Sequence, residues 1–196
     1  PDSVLAWLTQ GNQQFIGGVF NEQGVDSTLR IRLSKGQHPK AVVLCCSDSR
    51  VAPELIFDKG LGDLFVIRVA GNIEDDAVLG SIEYAVEHLH TPLVVVMGHK
   101  NCGAIAAAVG DLQEGGKDKI DNHIRALTDR IEEAMLTTDV KATDTVEKAL
   151  LSNVIFTVRA LRVERPVLYE AVKAGHLKVV GAVYDVATGK VNWMDY

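Results

Sequence analysis

The chain has 196 residues and a formal charge of −6, from 20 Lys and Arg against 26 Asp and Glu. Its length suits one domain, its 47% hydrophobic content suffices for a core, and its acidic balance argues against the basic face of a nucleic-acid binder. No apolar run approaches the ~20 residues that cross a bilayer, and Pro1-Asp-Ser-Val-Leu-Ala-Trp7 lacks the basic and apolar segments of a secretion signal.

In chain order, Ser3 caps a predicted helix to about Phe15, with Leu5, Leu8 and Phe15 in partial helical spacing, and Gly17-Gly18 ends it. Residues 21–34 read as a loop and then a short helix through Leu29 and Leu33. This arm, residues 1–35, is expected to pack on a partner subunit. The run from Ala41 to Cys46 is a β-branched apolar strand, buried on both faces. Pro53 opens a short helix from Glu54 to Asp58, and Leu64–Val69 is the second strand. Asp75 or Asp76 caps a helix to about His88. Leu93–Met97 is the third strand, and Gly98–Gly103 turns into an Ala-rich helix, Ala104–Val109.

Gly110 to Lys119 reads as a polar surface loop, and amphipathic segments follow at about 120–136 and 143–162. Pro166 starts a helix that ends at Gly175. Leu177–Tyr184 is the fourth strand, and residues 191–194 return as a short edge strand after a turn. Strands alternating with helices imply one α/β domain, residues 1–196, with a mostly parallel sheet flanked by helices. Ligands of such sheets bind beyond the carboxyl ends of strands, where strand order reverses.

The first strand breaks into Cys46, Asp48 and Arg50, which an apolar core would not select, and the third ends near His99 and Cys102. Cys46, His99 and Cys102 are soft and borderline donors suited to zinc, and three protein ligands leave one tetrahedral position open, the mark of a catalytic site. Cys46 meets His99 only if the first and third strands are neighbours, so the site itself predicts strand order 2-1-3-4, with the edge strand last. Cys45 should point away from Cys46 as a small core residue. Asp48 and Arg50 are spaced to pair, with Arg50 holding Asp48 as an acceptor beside the metal or Asp48 closing the site as a fourth ligand. Three cysteines, two of them adjacent, make no disulfide scaffold and point to a reducing compartment, hence the cytoplasm. An organellar or exported origin stays open if a leader was removed.

Cys46-Ser-Asp-Ser-Arg50, Glu83-Tyr-Ala85 and Gly98-His-Lys-Asn-Cys-Gly103 resemble the signatures of the β-class carbonic anhydrases, closely from about Gln37 to Val109. The resemblance implies one zinc per subunit on Cys46, His99 and Cys102, with Asp48 and Arg50 as the catalytic dyad. It implies a substrate-binding Gln37, a pocket lined by Phe65 and Tyr84, and a backbone N–H from Gly103. Some of these residues would come from a partner, so a homodimer is the minimal unit, with larger assemblies such as a tetramer open. The implied reaction is reversible CO2 hydration to bicarbonate by zinc-bound hydroxide. His88, one turn after Tyr84, is the candidate proton shuttle. Gln37, Phe65 and Tyr84 match the plant-type subgroup, and Val43 stands where a bicarbonate-inhibited subgroup has Trp, so Asp48 is expected on Arg50 and off the metal. Three other readings are open or poor. COS or CS2 hydrolysis would keep the site and change the substrate. A closed, non-catalytic zinc domain would need His90 or His123 as fourth ligand. Dinucleotide binding lacks its Gly-rich loop after the first strand.

Overall fold

The computed structural model describes residues 1–20, 26–115, 122–164 and 166–194. Five strands form one sheet: β1 (Ala41–Cys45), β2 (Leu64–Arg68), β3 (Leu93–His99), β4 (Lys178–Tyr184) and β5 (Val191–Met194), in the order β2-β1-β3-β4-β5. The first four are parallel, and β5 runs antiparallel to β4. This is the order that the Cys46–His99 pairing required.

Both faces of the sheet are covered, which is why β1 and β3 are continuous apolar runs rather than alternating ones. Val42 and Leu44 enter one core with Val94 and Val96, beneath α4 (Asp76–Glu87), α5 (Gly103–Gln113), α6 (Arg125–Thr137), α7 (Val146–Val163) and α8 (Val167–Lys173). Ala41, Val43 and Cys45 enter the other with Val95 and Met97, beneath α1 (Asp2–Ile16) and α3 (Pro53–Ile56). Each fully buried Val or Leu contributes about 1.5–3 kcal/mol. β1 and β3, which lead into the site, are therefore anchored along their whole length. Cys45 lies in the second core, opposite the face that Cys46 joins, and burial pushes its thiol up to about 12.

Several element ends differ from the sequence reading. The first helix starts at Asp2 without a side-chain cap, so Ser3 lies inside it. Cys46 stands just past β1 rather than within it, and β3 runs on to His99 because Gly98 and His99 pair with Val183 and Tyr184. The Ala-rich helix continues past Gly110 to Gln113, where a loop was expected. Its last turn is anchored by the buried Asp111 carboxylate, which accepts from Arg125 Nη1 at 2.9 Å across the helix pair. The expected loop at 21–25 and the stretch 116–121 lie outside the described residues; the helix within 21–34 is α2 (Ser27–Leu33).

The N-terminal helix docks on its own chain. Leu8 is buried, and the Asn12 amide donates to the carbonyls of Ile56 and Gly189 while its oxygen accepts from Val191 N–H. Gly11 lets the helix approach so closely that a Cβ there would collide with the Phe57 carbonyl oxygen. Gly11→Ala should therefore lower stability by about 1–3 kcal/mol, the cost of overpacking. Gly110→Ala, whose new Cβ meets open space, should be neutral or stabilising by up to about 1 kcal/mol. Denaturant unfolding of both variants checks this, and equal midpoints would contradict the seating of α1.

Candidate metal centre

Sγ of Cys46, Sγ of Cys102 and a ring nitrogen of His99 converge within 4.8 Å of one another, the sole such His, Cys, Asp and Glu cluster among the described residues. Register brings them together. Cys45 is level with Met97, so Cys46 emerges beside Gly98, one residue short of His99. Gly98 is needed there, because a Cβ would come within 2.6 Å of Leu150 and 2.8 Å of Val154 on α7. Cys102 then precedes the first turn of α5 in an extended conformation.

The donor set fits a soft divalent cation. His99 is fully buried, and its Nδ1–H donates to the Lys100 carbonyl at 3.0 Å. That bond turns the Nε2 lone pair inward, where it has no protein partner. The nearest acid atom to Nε2 is Asp48 Oδ2 at 3.8 Å, an acceptor facing an acceptor unless a cation lies close by. The two sulfurs are 3.9 Å apart and share a hydrogen bond. Their sharing holds the Cys46 thiol below its ordinary range and pushes the Cys102 thiol above it, so without a cation the second proton is hard to remove. A zinc ion would replace that proton and take both thiolates with Nε2.

Asp48 is held by Arg50 through a fork: Nε to Oδ1 at 2.9 Å and Nη2 to Oδ2 at 2.7 Å, with the Arg50 amide adding 3.0 Å to Oδ1. The guanidinium keeps the carboxyl well below the usual range, so Asp48 stays an acceptor through neutral and mildly acidic pH. Arg50 also donates to the Asn101 carbonyl at 3.3 Å, tying the dyad to the His99–Cys102 loop. Gly103 begins α5 beside open space, leaving its backbone approachable.

Other candidates lie elsewhere. Phe65 on β2 and Tyr84 on α4 have ring centroids 6.4 Å apart, and the His88 ring sits 5.2 Å from Tyr84. Tyr84 and His88 are largely exposed, and none of the three lines the small cavity, about 150 Å³, at His99 and Cys102. Gln37 is exposed in the loop before β1. His90 lines a separate cleft with His176, and His123 is exposed ahead of α6, so neither completes the ligand set.

Sequence reasoning missed the support around the cluster. Arg68 donates to the carbonyls of Asp48 (2.8 Å) and Cys46 (3.4 Å), clamping the loop after β1. The Gly71 N–H, in a 3-10 turn at Ala70–Asn72, donates to Cys46 Sγ at 3.3 Å. Once β2 is read as the neighbour of β1, Arg68 and Gly71 at its carboxyl end are the groups that should reach Cys46.

A family model for carbonic anhydrase matches residues 41–191. A carbonic anhydrase of Mycolicibacterium smegmatis is 40% identical over 192 residues, spanning 96% of this chain and 91% of that protein. Carbonic anhydrase 2 of Mycobacterium tuberculosis is 38% identical over 195 residues, covering 98% and 93%. Among solved structures, the Coccomyxa β-carbonic anhydrase in complex with acetazolamide has a TM-score of 0.74 and 29% identity, covering 86% of this chain and 78% of that one.

Zinc uptake should release thiol protons, and the affinity should fall as pH drops, because protons compete for both sulfurs. Metal titration with a pH indicator reads this directly. Cys46→Ser, Cys102→Ser and His99→Ala should each lose stoichiometric zinc, whereas Cys45→Ala should keep it.

Proposed function

This chain belongs to the β-class carbonic anhydrases, and from that membership and its metal cluster we infer a zinc-dependent enzyme that hydrates CO2 reversibly to bicarbonate and a proton. The observation that carries the reading is the buried Cys46–His99–Cys102 cluster with an unpartnered Nε2, inside the matched family region. When bound, zinc supplies the Lewis acidity that makes water a nucleophile. The chain's residues supply orientation. Asp48, immobilised by Arg50, accepts a hydrogen bond at Oδ2 and so fixes the direction of the attacking oxygen's lone pair. Two-point binding matters here, since a single-point cation would leave the carboxylate free to rotate. We assign the Gly103 N–H, open at the start of α5, to the oxygen of the bound product.

We assign Gln37, Phe65 and Tyr84, the plant-type set, to the substrate pocket of a neighbouring copy. Support comes from the exposure of Tyr84 and from the separation of the Phe65–Tyr84 pair from the cavity beside its own cluster. A homodimer is thus the minimal unit in this reading, with a tetramer as the larger assembly. The exposed apolar residues Val19 and Phe20, just after α1, suit the arm to a partner contact. Among the described residues no helix is long and apolar enough to cross a membrane. Three free cysteines fit a reducing compartment, and we propose the cytoplasm.

Stopped-flow CO2 hydration on the zinc-loaded protein tests the activity. Asp48→Ala and Arg50→Ala should each lower kcat/KM by roughly 10²-fold or more, the scale of lost orientation at the reacting atoms, with zinc retained. Two thiolates cancel the charge of the ion, so the rate should climb toward alkaline pH. A profile already flat at its maximum below neutrality would contradict this. We propose His88 as the proton shuttle. His88→Ala should slow turnover in weak buffer and recover with added imidazole, and an unchanged rate in weak buffer would remove His88 from the pathway.

A further inference from the structure

The side chain of Asn153 lies on the inner face of α7, 1% exposed, among Leu150, Val154, Val158 and Leu161, with Ser152 and Thr157 the other buried polar side chains of the helix. A buried amide costs about 1–3 kcal/mol unless it is hydrogen-bonded, so its partner matters. Asn153 Nδ2 donates to the Gly71 carbonyl at 2.7 Å, across 82 residues of sequence. Gly71 is the residue whose N–H donates to Cys46 Sγ. It sits at φ 74, and a Cβ there would approach Ile131 Cδ1 to 2.9 Å and Ala104 Cβ to 3.2 Å. The turn is therefore clamped by packing on one side and by one amide on the other.

We propose that Asn153 is a positioning residue for the metal centre: by holding the Gly71 carbonyl it fixes the backbone at Gly71, and so the direction of the Gly71 N–H, in the preceding peptide, toward the Cys46 sulfur. This rests on the zinc reading above. The same helix acts on the second ligand segment, since Leu150 and Val154 press on Gly98, the residue before His99. α7 thus braces Cys46 by a polar relay and His99 by contact, although it contributes no ligand. An N–H on a thiolate stabilises the charged sulfur and restricts its direction, and groups of this kind commonly change metal affinity about 10–100-fold when removed.

The test compares Asn153→Ala and Asn153→Leu, neither of which can donate to the Gly71 carbonyl, with Thr157→Val. Thr157 lies one turn along the same face, is equally buried and has an unpartnered hydroxyl, so its variant controls for changes in the helix core. All are loaded with zinc, and release to a chromogenic chelator is timed beside a thermal melt. Both Asn153 variants should release zinc at least about tenfold faster than the parent, and their cobalt forms should show a shifted sulfur-to-cobalt absorption. Thr157→Val should match the parent in both. Release within about twofold of the parent in the Asn153 variants, or acceleration by Thr157→Val as large as theirs, overturns the proposal. If neither Asn153 variant folds, the cadmium-loaded parent decides. A correlation between cadmium and the Gly71 amide proton supports the relay, and its absence refutes it. A parent that takes up no zinc sinks the metal reading itself, whereas a zinc-binding parent with unaffected variants sinks only the role of Asn153.

Discussion

Everything at the metal centre depends on the parallel pairing of β1 with β3. Cys46 and His99 are 53 positions apart, and only adjacent strands of matched register bring their ends within bonding reach of one ion. That register is held by residues fully removed from water on both faces of the sheet, among them Val42, Val43, Val94 and Val95. A slip of one residue would turn each strand over between the two cores and part the ligands. Stability and site geometry are therefore the same property in this molecule.

Around that frame the chemistry is one of crowded acceptors. Two sulfurs, an imidazole lone pair and the Asp48 carboxylate face one small volume. Their repulsion is relieved in two ways. Arg50 and the Gly71 amide compensate Asp48 and Cys46 from outside, and a divalent ion would compensate the rest from within. Arg50 holds both carboxylate oxygens of Asp48, so the carboxylate is oriented by the guanidinium. The fork also reaches the Asn101 carbonyl, so the loop bearing Cys102 and the loop bearing Asp48 share one anchor.

Glycine has distinct uses at three points. Gly11 lets α1 meet the Phe57 carbonyl, Gly98 lets α7 touch β3, and Gly71 adopts a left-handed turn that aims its amide. The last two lie within one residue of a metal-ligating contact. Close approach of backbone to backbone, and of backbone to sulfur, replaces side-chain packing there.

The strands were legible in the chain alone, because Ala41–Cys45 and Leu93–Met97 are apolar enough to be buried on both faces. The candidate ligands were legible too, because two thiols and an imidazole gathered at the ends of buried strands and in the turn after one of them suit a zinc ion. The sequence even implied strand order, since a shared ion requires neighbouring strands. Element ends were less legible. Asp111 extends α5 past a glycine through an ion pair with Arg125, and a pairing across helices leaves no local pattern. Which groups hold the ligands emerges from the packed fold alone. Gly71, Arg68 and Asn153 act on Cys46 through backbone atoms, and a backbone N–H or carbonyl carries no residue identity for a sequence pattern to reveal.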